Sequence, residues 1–195
     1  MSDEIPLGGG WSTARVVRVG DTVRRPPAHA TQLMRDVLVH LEAVGFDAAP
    51  RWLGFDEKGR DTLTFLEGET FADTRKLTWS SGQLTSAGEL LRRYHDAVAG
   101  IALAAGAEVV CHGDFGPWNL IWIEGAPRYV IDFDNAHPGR RVEDVGYAIW
   151  KFEIESSPAP FLRGYGLKLD PRDAVDYAKQ RERERFERNG WPIGF

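Results

Sequence analysis

Residues 109–135 read Val-Val-Cys-His-Gly-Asp-Phe-Gly-Pro-Trp-Asn-Leu-Ile-Trp-Ile-Glu-Gly-Ala-Pro-Arg-Tyr-Val-Ile-Asp-Phe-Asp-Asn. An apolar stub at 109–111 runs into a loop that carries His112, Asp114 and Asn119. A short apolar hairpin, 120–131, then delivers Asp132 and Asp134. A potential proton acceptor, an amide and two carboxylates thus gather around one hairpin.

Phosphoryl transfer from a magnesium nucleotide needs those groups: one orients the attacking hydroxyl and two hold the metal on the phosphates. The spacing is that of the protein-kinase signature, His-x-Asp with an Asn five residues after the Asp, then a later Asp. On this reading Asp114 orients the acceptor proton, while Asn119 and Asp132 are magnesium ligands. Three roles stay open for Asp134: a second metal position, a substrate contact, or a turn cap.

Composition narrows the partners. The chain has 195 residues, 43% hydrophobic and 27% charged, enough for one globular domain or two small lobes. Its net charge of -5 argues against general nucleic-acid binding, which wants a basic footprint. A single cysteine permits no internal disulfide and fits a reducing compartment. The start, Met-Ser-Asp-Glu-Ile-Pro, lacks the apolar segment of a signal peptide, and no apolar run reaches bilayer length. The expectation is a cytoplasmic protein with no membrane partner; the oligomeric state is open.

Outward from the central motif, Gly8, Gly9 and Gly10 precede Trp11-Ser12-Thr13, and a hairpin is expected over 14–19 and 22–25 around Gly20-Asp21. Helical spacing of Leu33, Val37, Leu38, Leu41 and Val44 predicts a helix over 31–44, with Gly45 beyond its end. A second hairpin is expected over 51–55 and 61–66. The polar stretch 66–82 reads as a connector between residues 1–69 and 70–195. Ser80 to Gln83 and Ser86 to Glu89 both have capping-box spacing ahead of a helix that stops near Gly100. Further helices are expected over 142–152 and, from Asp170-Pro171, over 171–189 up to Gly190. In the second of these, the charge run 181–188 reads as a solvated face.

Three stretches together resemble the aminoglycoside phosphotransferase and choline kinase branch of the kinase-like fold: 112–119, 130–136, and Arg-Val-Glu-Asp-Val-Gly-Tyr-Ala at 141–148. The Gly-Pro-Trp insert and Val-Val-Arg-Val-Gly-Asp-Thr-Val-Arg-Arg-Pro at 16–26 resemble a bacterial subgroup of that family. The resemblance implies an α+β, two-lobed protein-kinase-like fold. A small antiparallel N-terminal lobe with one helix, 1–69, would bind nucleotide. A shortened, mainly helical lobe, 70–195, would be catalytic. It also implies ATP and magnesium as cofactors and a small-molecule hydroxyl as acceptor.

Residue roles follow from the same resemblance. His112 would support the loop rather than act as a base, and Asp144 would anchor the loop backbone. Gly8, Gly9, Gly10 and Ser12 would cover the phosphates with backbone N–H groups, with a plain N-terminal tail as the alternative. Leu66 to Gly68 would form the hinge at the adenine, or belong to the core.

Two departures stand out. Kinases carry a phosphate-holding Lys on the third strand, paired to a helix Glu. Here the strand ends Val23-Arg24-Arg25 and the helix position carries Met34, so Arg25 is the phosphate candidate and Asp36 or Glu42 its possible partner. Few residues follow Asp144, which implies a small or open acceptor site, or one completed by a partner chain. Two competing functions follow: a nucleotide-binding but inactive module, and a metallohydrolase built on His112, Asp114, Asp132 and Asp134.

Overall fold

The computed structural model describes residues 3–7, 16–26, 32–71, 78–168 and 170–189. Gly8, Gly9, Gly10 and Ser12 lie outside them, as do Thr31 and Gly190.

Alternating apolar residues and tight turns build the first sheet. Strands β1 (Ile5–Pro6), β2 (Val17–Val19), β3 (Thr22–Arg25), β4 (Trp52–Phe55) and β5 (Asp61–Thr64) pair antiparallel in the order β1-β2-β3-β5-β4. Helix α1 (Gln32–Ala43) buries Met34, Val37, Leu38 and Leu41 on its core face. Met34, where the kinase pattern carries an acid, is a packing residue here.

One polar knot holds this sheet to its helix. Asp61, fully buried on β5, accepts from Arg35 Nε at 2.7 Å and Nη2 at 3.0 Å, and from Trp52 Nε1 at 2.9 Å. The two-pronged guanidinium contact is the strong geometry for such a pair.

The connector leaves β5 and is caught by the second half of the molecule. Glu69 exchanges backbone hydrogen bonds of 2.9 and 2.8 Å with Trp122, and Trp79 stacks on the Trp122 ring at 5.0 Å. Helix α2 (Ser81–Ala97) opens with both bonds of the capping box: Ser80 Oγ accepts from Gln83 N, and Gln83 Oε1 accepts from Ser80 N. The Ser86–Glu89 pair lies inside α2, so it caps nothing.

Short strands β6 (Val109–Cys111) and β9 (His137–Gly139) pair antiparallel, as do β7 (Leu120–Ile123) and β8 (Ala126–Val130). Helices α3 (Arg141–Lys151), α4 (Ala159–Tyr165) and α5 (Pro171–Asn189) complete the helical part. The fold is α+β and two-lobed, an antiparallel sheet with one helix followed by a mainly helical part. Helix α4 has no counterpart among the expected elements. Its contact explains it: a Cβ on Gly88 of α2 would lie 2.2 Å from Phe161 O, and one on Gly164 of α4 would lie 2.0 Å from Thr85 O. The two backbones touch, and this tertiary contact stabilises a seven-residue helix too short to persist alone.

Candidate active site

The β6 stub ends at a loop whose backbone is pinned by one buried carboxylate. Asp144, on α3, accepts from His112 N at 2.7 Å through Oδ2 and from Gly113 N at 2.9 Å through Oδ1. His95 Nε2 donates to the same carboxylate at 2.9 Å, and His95 Nδ1 lies 2.7 Å from the Tyr165 hydroxyl. Burial pushes the Asp144 carboxyl up, but the His95 hydrogen bond and charge, with those backbone donors, hold it below the usual range. Gly113 turns the chain at φ 77°, and a Cβ there would lie 2.3 Å from Asn135 O, so only glycine fits.

His112 uses both ring nitrogens for the loop. Its Nε2 donates to Ile131 O at 3.0 Å, and its Nδ1 accepts from Asp114 N at 3.3 Å. Those bonds fix one tautomer and leave no ring nitrogen for proton transfer.

Asp114 follows in the same loop and is held by two side chains. Its Oδ1 accepts from the Tyr147 hydroxyl at 2.5 Å and its Oδ2 from Asn119 Nδ2 at 3.0 Å. Burial raises the Asp114 carboxyl, opposed by the Tyr147 hydrogen bond. Burial and the facing Asp114 charge raise the Tyr147 hydroxyl well above its ordinary value, so it stays a donor.

Asn119 ends the turn Pro117–Asn119 and is buried. Its amide nitrogen is spent on Asp114, with a second bond to Asp114 O at 2.9 Å, which leaves its oxygen to face elsewhere. Ile131 N donates to Asn119 O at 2.9 Å, and this backbone bond locks the loop to the end of the hairpin, one residue before Asp132. Asp132 adopts the left-handed conformation, φ 67° and ψ 62°, sparsely populated by residues other than Gly, Asn and Asp. A carboxylate is thereby turned out of the strand path at this point.

Arg25, at the end of β3, reaches across to the hairpin. Its Nη2 donates to Asp132 Oδ1 at 3.0 Å and to Asp134 Oδ2. Burial works against the guanidinium charge, but Asp134 and Asp132 raise its pKa further. The expected helix partners do not meet it. Asp36 accepts from Gln32, and Glu42 lies 3.5 Å from Arg51.

The two carboxylates converge on one positive charge, and the donor atoms they offer are all oxygens. Such a set suits magnesium. Asp132, Asp134 and the Asn119 oxygen are the residues that would hold it. Leu66 is half-buried and Gly68 exposed, at the point where the chain leaves the sheet for the Trp122 strand.

Three contacts were not legible as site features. Tyr147 reads as core, and it is buried, yet its hydroxyl meets Asp114. It stands three residues after Asp144, so both share the face of α3 turned to the loop. Arg185 Nη1 donates to Gly113 O at 3.2 Å, and Arg185 also pairs with buried Glu182 at 2.7 Å. The charge run of α5 thus sets Arg185 against the loop and is not only a solvated face. A cavity of about 390 Å³ lies there, between Gly113, Asp134, Tyr147, Glu182 and Arg185.

Residues 97–182 match the family model described as the phosphotransferase enzyme family. The chain is similar to that family. The trifolitoxin immunity protein of Rhizobium leguminosarum bv. trifolii is 38% identical over 166 residues, covering 77% of this chain and 62% of that protein. The chain therefore spans less than two thirds of that relative's length. Among solved structures, a choline/ethanolamine kinase family protein from Mesorhizobium loti superposes with a TM-score of 0.67 at 16% identity, covering 100% of this chain and 83% of that one. A spectinomycin phosphotransferase in complex with ADP and spectinomycin gives 0.65 at 12% identity, over 92% and 79% of the chains. An aminoglycoside phosphotransferase from Streptomyces rimosus gives 0.57 at 19%, over 90% of each. The likeness of fold extends over the whole chain, and the family match covers the stretch that holds His112, Asp114, Asn119 and Asp132.

Proposed function

We propose that this chain moves the γ-phosphoryl group of ATP, with magnesium, onto a hydroxyl of a small molecule. The observation that carries the reading is the convergence of Asp132 and Asp134 on one cationic position beside the Asp114–Asn119 pair. Residues 1–69 would bind nucleotide and 70–195 would hold the catalytic groups, with the connector at 66–82. The acceptor oxygen attacks phosphorus, the bond to the β-phosphate oxygen breaks, and ADP leaves. Asp114 orients the acceptor hydroxyl and takes its proton. Tyr147 and Asn119 hold that carboxylate in place, so little reorganisation is needed during transfer. Magnesium, when bound, neutralises charge on the phosphates. Arg25 would turn from the carboxylates to a phosphate, and Gly8, Gly9, Gly10 and Ser12 would cover the phosphates. Leu66 and Gly68 would meet the adenine.

No helix among the described residues is long and apolar enough to cross a membrane, and the reading needs no nucleic-acid or membrane partner. A cytoplasmic enzyme is the setting in which ATP is present. The immunity name of the 38% relative supports an acceptor that is a toxic compound, and places antibiotics beside sugars, choline-like alcohols and amino alcohols in the panel to test.

A second reading has one observation in its favour. Arg25 already pairs with both carboxylates, and the one Glu of α1, Glu42, stands against Arg51 instead. A nucleotide-binding module without transfer would look the same. Magnesium-dependent conversion of ATP to ADP, measured over the acceptor panel for the wild type and Asp114→Asn, separates the two. Transfer that Asp114→Asn abolishes supports the enzyme. Nucleotide binding without any turnover supports the module.

A further inference from the structure

Besides the groups used for transfer, three side chains of different chemistry face one point, and two of them, His137 and Glu143, line the same cavity. Cys111 and His137 are directly opposed partners in the β6–β9 ladder, so their side chains share one face. Glu143, in the first turn of α3, closes over that face. One donor atom from each, the Cys111 sulfur, a His137 ring nitrogen and a Glu143 carboxylate oxygen, all lie within 4.8 Å of one another. We propose that Cys111, His137 and Glu143 form a binding site for a zinc-class divalent ion, distinct from the Asp132 position and independent of phosphoryl transfer.

Two observations beyond the residue types support this. Gly139 lies two residues from His137 on the same strand face. A Cβ there would stand 2.7 Å from Cys111 Sγ, 3.2 Å from Glu143 Oε2 and 3.6 Å from the His137 ring. The glycine has no positive φ to explain it. A side chain there would press into all three, so the glycine lets the three candidate ligands approach one another. The second observation is the orientation of His137. Its Nδ1–H donates to Asn135 O at 2.8 Å, which fixes the ring and turns Nε2 to Glu143 Oε1, 2.5 Å away. A backbone carbonyl on the far nitrogen is the usual outer support of a metal-bound histidine.

The ligand set selects the ion. A thiolate, an imidazole and a carboxylate suit zinc, while magnesium and calcium take oxygen donors. Binding displaces the Cys111 thiol proton, which now points to Arg140 O at 3.3 Å, and the proton shared by His137 and Glu143. Arg181 Nε stands 3.5 Å from Glu143 Oε2 and competes with the ion for that oxygen. An ion here would tie β6, β9 and the start of α3 together, one residue from Asp144, which grips the loop.

The test uses the full chain, stripped by chelator and titrated with cobalt(II) in excess magnesium, so that the Asp132 position is already filled. About one equivalent should bind with the near-ultraviolet absorption of a thiolate–cobalt bond, and zinc should displace it. Cys111→Ser should lose that band and weaken binding about 10- to 100-fold. Glu143→Gln keeps the thiol and should weaken binding similarly; it decides the matter should the serine variant not fold. Zinc should raise the thermal midpoint of the wild type and leave both variants unmoved. No binding in excess magnesium, or a cobalt spectrum identical in wild type and Cys111→Ser, overturns the site.

Discussion

On the Asp114 side of the site, three successive backbone N–H groups, of His112, Gly113 and Asp114, are each answered by a side chain of the chain itself. On the Arg25 side, one guanidinium answers two carboxylates, and the glycine turn that would share the work lies outside the described residues. The first region is built to stay as it is. Under the proposed function the second would have to rearrange, because Arg25 occupies the two carboxylates that a metal-bound nucleotide would need. On the proposed reading, the acceptor would be positioned by buried, satisfied groups, while the phosphates would depend on one guanidinium that is paired with Asp132 and Asp134.

The largest test strikes the preorganised side. Asp114→Asn should lower transfer by about 10²- to 10⁴-fold without unfolding the protein. Its carboxyl is raised by burial, so the stability it contributes is full below the unfolded carboxylate pKa and lost as pH rises through the folded one. At neutral pH the charged form costs stability, and the asparagine variant should melt at the same or a higher temperature. The gain should fade toward acid pH, as calorimetry at pH 7 and pH 4 can check. A variant that melts much lower at pH 7 would show that Asp114 holds the loop rather than the acceptor.

Next in size is the buried pair of the N-terminal sheet. Asp61→Ala strands Arg35 and the Trp52 indole N–H, and should cost about 3 kcal/mol of unfolding free energy in urea. Nucleotide affinity at low temperature should largely survive, since the hydrogen bonds of Asp61 go to Arg35 and Trp52 and only its charge is felt at Arg25. Equal loss of affinity and stability would join the two regions that the geometry separates.

How much of this was readable beforehand differs between the same two regions. The hairpins, α1 and the Ser80–Gln83 cap carry local signals, and the structure has them. The loop motif is also local, because His112, Asp114 and Asn119 fall within eight residues of one another. Contacts made across the chain left no trace. Arg25 reaches Asp132 over 107 residues and Arg185 reaches Gly113 over 72. Helix α4 is short and glycine-broken, and exists because Gly88 and Gly164 let two backbones touch. The charged spacing of α5 is the same whether its face meets water or a loop, so periodicity could not reveal the Arg185 contact. Tyr147 shows the opposite case: its burial was readable, and only its hydroxyl's partner was not.

Arg25 itself gives the next effect. Arg25→Gln removes the internal cation, so ATP affinity should fall about tenfold. Free magnesium or manganese should bind more tightly without nucleotide, because Asp132 and Asp134 then lack a competitor. Opposite signs for the two ligands, read by titration calorimetry, would mark Arg25 as a cation that changes partners. A fall in both would make it a fixed part of the metal site.

The smallest expected effect lies where the two regions join. Ser80 begins α2 directly after the connector, and its hydroxyl and the Gln83 side chain satisfy two backbone donors that the helix start would otherwise leave unpaired. Gln83 Nε2 also donates to Gly125 O at 2.8 Å, tying the helix start to the turn between β7 and β8. Ser80→Ala removes one bond of the box and leaves this tie, so it should cost about 1 kcal/mol. Gln83→Ala removes both the return bond and the tie and should cost more, although the serine hydroxyl is still in place. If the connector only links the regions, neither change should alter turnover at a temperature where both variants are folded. A drop in turnover at unchanged nucleotide affinity would instead mean that the path from sheet to helix transmits strain to the Asp114 loop through the strand that begins at Leu120.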